Sequence, residues 1–123
     1  MKLIYIAGPF RGATQWDIEI NVHEAALGGM KVAEAGGVPV IPHTMYRAWN
    51  GTLDDQFWLD ATREILRRCD GLALLAGWDW SAGARAEREE AVALGMPIIE
   101  LANTLLEEWI RDVVVERAPV SEP

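Results

Sequence analysis

The chain has 123 residues, half of them hydrophobic, with a net charge of −8. That length and composition predict one globular domain over residues 1–117, with a flexible tail at 118–123. The acidic balance argues against binding long nucleic acid, which needs a basic face, but not against a mononucleotide, which needs only one or two local donors. Cys69 is the single cysteine and there are two histidines, so an internal disulfide is excluded and a Cys/His metal cluster is not expected. The apolar run at Met1–Ala7 is too short for a signal peptide, and no segment approaches membrane-spanning length. The expected setting is cytoplasmic, without membrane association.

Leu3 to Ala7 reads as a buried strand closed by Gly8-Pro9. Gln15 to Ala35 carries Ile18, Val22, Ala25, Gly29 and Val32 at helical spacing and stops at Gly36-Gly37. Val38 to Ile41 is a second strand, with Pro39 pointing to its start or to an edge. Pro42 to Thr52 reads as a loop. Asp54 or Asp55 caps a helix to about Cys69, its inward stripe being Trp58, Thr62, Ile65 and Cys69. Asp70-Gly71 turns into a third strand, Leu72 to Leu75. A helix from Ala84 to Leu94 follows, with Ala84, Ala91, Leu94 and Gly95 on its sheet-facing side. Ile98-Ile99 opens a fourth strand, and Asn103 caps a last helix to about Arg117. Helices alternating with short apolar strands predict an α/β fold, flavodoxin-like (Rossmann-like), in three layers. Its parallel sheet has four to five strands, ordered 2-1-3-4.

In such a sheet ligands bind at the carboxyl edge. There the sequence gathers Gly8-Pro9-Phe10-Arg11-Gly12, Pro42-His43-Thr44 and Trp78 to Gly83. Glu87 stands just beyond, near the first turn of its helix, where the helix dipole favours the ionised carboxylate that a nucleophile needs. The plain alternative is a first-turn glutamate that serves only that dipole; the Ser-Ala-Gly turn and apolar flank favour function. Tyr5, inside the first strand, is either a satisfied core aromatic or the group that aims Glu87. Arg11 in its Gly-rich turn could fork an anion's oxygens or simply be solvated. His43 is an exposed loop imidazole or a contact to phosphate or sugar. Ser81 caps the Glu87 helix and could also meet a phosphate. Asp70 is explained by its turn, and Trp78 and Trp80 could stack on a nucleobase.

Taken together, Tyr5-Ile6-Ala7-Gly8-Pro9-Phe10-Arg11-Gly12, His43, Asp70 and Ser81-Ala82-Gly83-Ala84-Arg85-Ala86-Glu87 resemble the nucleoside 2-deoxyribosyltransferase superfamily over roughly residues 2 to 101. The resemblance is to a small uncharacterised, DUF4406-like branch and, among members of known activity, to the 2′-deoxynucleoside 5′-phosphate N-hydrolases. It implies a flavodoxin-like fold, no cofactor and no metal, and homodimers in which a neighbouring chain closes the site. It also implies Glu87 as nucleophile and Tyr5 as its orienting partner. Gly8, Pro9, Arg11, Gly12, His43, Asp70, Trp78, Ser81 and Gly83 become substrate-binding positions, with the 5′-phosphate on Arg11, Gly12, Ser81 and Gly83. Two positions depart from the pattern. Arg85 stands where the family has glycine, and Thr62 stands where the active members carry an inward aspartate; Asp60 lies on the outward side of the same helix.

The function expected is cleavage or transfer of the N-glycosidic bond of a small nucleoside or nucleotide, with a nucleoside 5′-monophosphate preferred and a glycosyl-enzyme intermediate on Glu87. The alternative is a non-catalytic nucleotide or nucleotide-sugar binding module, which Thr62 and Arg85 favour. A third reading is a structural dimer joined through the last helix, with Leu106, Trp109, Ile110 and Val113 against a partner.

Overall fold

The computed structural model describes residues 1–49 and 51–117; the tail at 118–123 lies outside the described residues. Four short strands form one parallel sheet in the order β2-β1-β3-β4: β1 at Leu3–Ala7, β2 at Val38–Val40, β3 at Gly71–Leu74 and β4 at Ile98–Glu100. Parallel neighbours need crossovers, and the helices supply them: α1 (Gln15–Glu34) between β1 and β2, α3 (Asp55–Arg67) between β2 and β3, and α4 (Ala82–Ala93) between β3 and β4. The order and class match the expectation from the alternating pattern.

Side chains alternate along β1 and divide the core in two. Ile4 and Ile6 face Ala25 and Val32 of α1 together with Trp109, Ile110 and Val114 from the carboxyl-terminal segment. Tyr5 and Ala7 face Leu66 and Cys69 near the end of α3 and Ala84 and Ala91 of α4. Small residues on α4 let that helix lie close to the sheet. Leu94 and Gly95, expected on this inner face, are exposed, because the helix ends at Ala93 and Gly95 adopts φ +69° to turn the chain out.

Two segments differ from the sequence expectation. Pro42 to Thr52 is not a plain loop: Pro42–Met45 forms a one-turn helix, α2, with Pro42 at its start, and Arg47–Trp49 forms a 3-10 turn. The last helix is also shorter than expected. Asn103 Oδ1 accepts the Leu105 N–H at 2.9 Å, but α5 spans only Leu106–Glu108 and widens into a π turn over Trp109–Val113. The run Val113-Val114-Val115 explains the stop, since consecutive β-branched residues crowd a helix and suit extended backbone. Lys2 Nζ donates to the carbonyls of Ile110 and Arg111 that the widened turn leaves free. Leu106, Trp109 and Ile110 are all buried against the chain's own sheet, so of the stripe offered to a partner only Val113 remains exposed.

Candidate functional site

The site is built on the face of the sheet that carries Tyr5. The side chain of Tyr5 is buried between α3 and α4, and its hydroxyl lies within hydrogen-bonding reach of Glu87 on α4 and Thr62 on α3. Glu87 shares a helix face with buried Ala84 and Ala91, three residues before it and four after. Those alanines bring the helix near enough for the carboxylate to meet a tyrosine rooted in the sheet. Burial raises the Glu87 pKa to about 7, against the Tyr5 hydroxyl and the nearby Arg63 guanidinium, which both lower it. Burial, followed by the Glu87 charge, also drives the Tyr5 phenol well above its ordinary value, so Tyr5 stays protonated and donates.

This corrects one expectation. Helix α4 begins at Ala82, so Glu87 is its sixth residue and sits in the second turn, where the dipole has little hold. Desolvation outweighs it, and the carboxylate titrates near neutrality rather than remaining ionised throughout. Thr62 has no carboxyl group to offer, and its hydroxyl also lies 3.1 Å from the Leu59 carbonyl. Asp60 is exposed and accepts from Gln56 Nε2 at 2.8 Å, on the outward side as expected.

Loops from β1 and β3 close over the carboxyl edge in contact with each other. A side chain at Gly8 would collide with Leu75, whose Cβ lies 2.6 Å from the position a Gly8 Cβ would take. Gly77 turns the β3 loop at φ +85° beside Pro9. Gly12 packs on Asp17, the residue that completes a capping box with Thr14 at the start of α1. Asn21 Nδ2 donates to the carbonyls of Phe10 and Arg11 at 3.0 and 3.3 Å, tying the turn to α1. That anchor escaped the sequence reading because an asparagine inside a helix carries no motif.

His43 is buried, not a free loop imidazole. Its Nε2 lies 2.9 Å from the Pro9 carbonyl and 3.2 Å from that of Gly8. Both partners are acceptors, so Nε2 carries the hydrogen and Nδ1 is bare. Burial holds the ring below its ordinary pKa and so in the neutral form. His43 therefore fixes the β1 turn rather than reaching for phosphate or sugar. Its Nδ1 and Trp58 Nε1 are the buried side-chain polar atoms left without a partner among the described residues.

Arg11 projects from the turn, but its guanidinium meets Asp55 at the start of α3 at 3.0 Å, with both groups largely exposed. Ser81 caps α4, accepting the Ala84 N–H at 3.2 Å, and keeps its own hydroxyl hydrogen to give. Beside it Gly83 borders open space: an added Cβ would meet nothing nearer than Ser81 Oγ at 4.0 Å. Arg85 leans back onto the Asp79 carbonyl at 3.2 Å, away from the seam.

Two expected binding residues do not join this group. Asp70 precedes β3 and so lies at the opposite, amino edge of the sheet. Its carboxylate oxygens accept the backbone N–H groups of Leu3 and Arg117, both at 2.7 Å, locking the carboxyl-terminal segment onto β1. Trp78 is occupied: its Nε1 donates to Glu100 at 3.0 Å and the Arg88 guanidinium covers its ring at 5.3 Å. Trp80, by contrast, is 88% exposed. Two open clefts flank the carboxyl-terminal helix, near Lys2 and Arg111 and near Leu101 and Leu106; neither is lined by Glu87, which lies in a tight seam between α3 and α4.

A family model for a domain of unknown function, DUF7768, matches residues 2–101. The chain belongs to the DUF7768 family. The matched span contains all four strands, Tyr5, Thr62 and Glu87, and stops before α5. No curated protein matches the chain. Among the described residues no group of three His, Cys, Asp or Glu side chains is placed to hold a metal ion, and no helix is long and apolar enough to cross a membrane.

Proposed function

We propose that this DUF7768 protein cleaves or transfers the N-glycosidic bond of a small nucleoside or nucleotide, with Glu87 as nucleophile. The observation that carries the reading is the Tyr5–Glu87 pair: a half-buried carboxylate on α4 set beside a phenol rooted in β1, where desolvation raises the carboxylate pKa to about 7 and keeps the phenol protonated. Perturbed carboxyl groups of this kind cluster at catalytic sites.

In the ionised form, one Glu87 oxygen accepts the Tyr5 hydrogen bond and the other attacks C1′. The C1′–N bond breaks as the C1′–O bond forms, through an oxocarbenium-like state, and the base leaves with the bonding electrons and takes a proton from solvent. Water then attacks C1′ of the ester, frees Glu87 and loses its proton; a second base in place of water gives transfer. This chemistry calls on no cofactor. A 5′-monophosphate is the preferred substrate class. Arg11, the Ser81 hydroxyl and the open surface at Gly83 can hold its phosphate once Arg11 exchanges Asp55 for it, and exposed ion pairs are weak enough to exchange. The reading also places the protein in a cytoplasmic nucleotide pool, as a homodimer.

A second reading has one observation in its favour. Thr62, not a carboxylic acid, stands beside Tyr5, which suits a module that holds a nucleotide or nucleotide sugar without turning it over. One experiment separates the two. Ribo- and deoxyribonucleosides and their monophosphates are incubated with the protein, and free base is followed by chromatography. Base release that disappears in Glu87→Ala supports the enzyme; saturable binding with no release at high protein and long times supports the module.

A further inference from the structure

Helix α3 descends from the carboxyl edge, where β2 ends, to the amino edge, where β3 begins. Trp58 lies four residues before Thr62 on the same side of that helix, about 6 Å nearer the carboxyl edge. It therefore overhangs the seam in which Thr62 and Glu87 meet the Tyr5 hydroxyl. Around it is an aromatic cluster that the sequence pattern does not announce. The Trp49 ring lies nearly parallel to Trp58, with centroids 6.1 Å apart and planes inclined by 18°. Tyr46 approaches Trp58 at 4.9 Å, and Phe57 meets it edge-on at 5.0 Å.

A cluster that served only packing would hide its rings and satisfy its polar atoms. This one does neither. Trp49 is 52% exposed and Phe57 50% exposed, while Trp58 Nε1 is buried and has no acceptor among the described residues. A buried indole N–H without a partner is unfavourable and uncommon, and among the described residues nothing supplies Trp58 Nε1 with an acceptor. Trp78, which could also have stacked on a ligand, is already covered by Arg88 and bonded to Glu100.

We infer that Tyr46, Trp49 and Trp58 form the seat of a planar nitrogen heterocycle, which stacks on the indole faces and offers a ring nitrogen or carbonyl oxygen to Trp58 Nε1. The inference deepens the glycosidase reading and rests on it for the identity of the heterocycle as the departing nucleobase. Stacking binds every base in some degree, and the single N–H adds a preference for bases with an acceptor on the edge turned inward.

The test uses the full chain, free uracil, hypoxanthine and adenine, and the indole N–H signals of the six tryptophans in proton–nitrogen NMR spectra. The Trp58 signal is assigned from Trp58→Phe, which keeps a stacking ring and loses the donor. Titration with a base is expected to shift the Trp58 signal and leave that of Trp80 in place. Trp49→Ala, at an exposed position that the fold can spare, should weaken binding about 10-fold, and Trp58→Phe about 3-fold. Unmoved Trp58 and Trp49 signals at millimolar base, or affinities unchanged in both variants, would overturn the seat. Bases that bind here although the wild-type protein releases none from any nucleoside or nucleotide would sink the glycosidase reading and leave the seat standing. Base release with an unaltered KM in both variants would do the reverse.

Discussion

Asp70 and Glu87 are acidic side chains toward opposite edges of one sheet, and they have opposite fates. Asp70, at the amino edge, accepts two backbone N–H groups at 2.7 Å. Glu87, toward the carboxyl edge, has only the Tyr5 hydroxyl and the charge of Arg63 to offset its desolvation, and its pKa rises to about 7. The difference teaches how to sort buried carboxylates. One whose lone pairs are filled by backbone holds the fold; one left short of donors is available for chemistry. The edges as wholes follow the same rule. At the amino edge Lys2 binds the carbonyls of Ile110 and Arg111, while among the described residues His43 Nδ1 and Trp58 Nε1 stay unpartnered on elements that follow β2 at the carboxyl edge.

The comparison breaks most sharply on activity. Glu87→Gln is expected to lower base release by about 1,000-fold or more, whereas Asp70→Ala should leave release per folded molecule within a few-fold; chromatography on both variants checks this. Stability should reverse the ranking. Asp70→Ala strands two N–H groups and is expected to cost about 2–4 kcal/mol in urea unfolding.

The pH dependence sharpens the contrast. The folded state holds the Glu87 proton up to about 7, while the unfolded chain loses it near the ordinary value of 4.5. Between those values the native state binds more protons, so wild-type stability falls as pH rises through this window and is flat above it. Glu87→Gln removes that loss. It should unfold at higher urea than wild type at pH 8, by roughly 1–3 kcal/mol, and show no gain at pH 4. Activity needs the ionised form, so base release should climb with pH through about 7. Tyr5→Phe, which removes a hydrogen bond that lowers the Glu87 pKa, should move that midpoint upward. The smallest effect belongs to Asp55→Asn. Freeing Arg11 from an exposed pair should favour a nucleoside monophosphate over its nucleoside by about 2- to 5-fold in kcat/KM.

What was legible in the sequence was periodic or local. Alternating apolar strands and helical stripes placed β1 to β4 and their order, and the cap at Ser81 could be read from its position. The Tyr5–Glu87 pairing came from family resemblance, because no spacing rule brings residue 5 to residue 87. What stayed hidden depended on through-space partners. Asp55 on Arg11, Asn21 on the β1 turn, His43 on Pro9 and Glu100 on Trp78 are side-chain contacts between segments far apart in the chain. The aromatic cluster stayed hidden for the same reason: Trp49 lies in a 3-10 turn that reads as loop, and Trp58 reads as an ordinary core position. The shortened last helix is a case of local propensity, three valines in a row, overriding a plausible cap.

Gly83 offers a means of separating architecture from recognition. Its missing side chain leaves room that no protein atom fills, for an added Cβ would meet nothing nearer than Ser81 Oγ at 4.0 Å. A methyl group there asks nothing of the core and suits a helix, so Gly83→Ala should melt no lower than wild type. If the phosphate docks against that surface, the same methyl would obstruct it and raise KM for the monophosphate alone. One carbon atom would then report, in a protein of unaltered shape, whether the first turn of α4 is merely the beginning of a helix or a landing place for an anion.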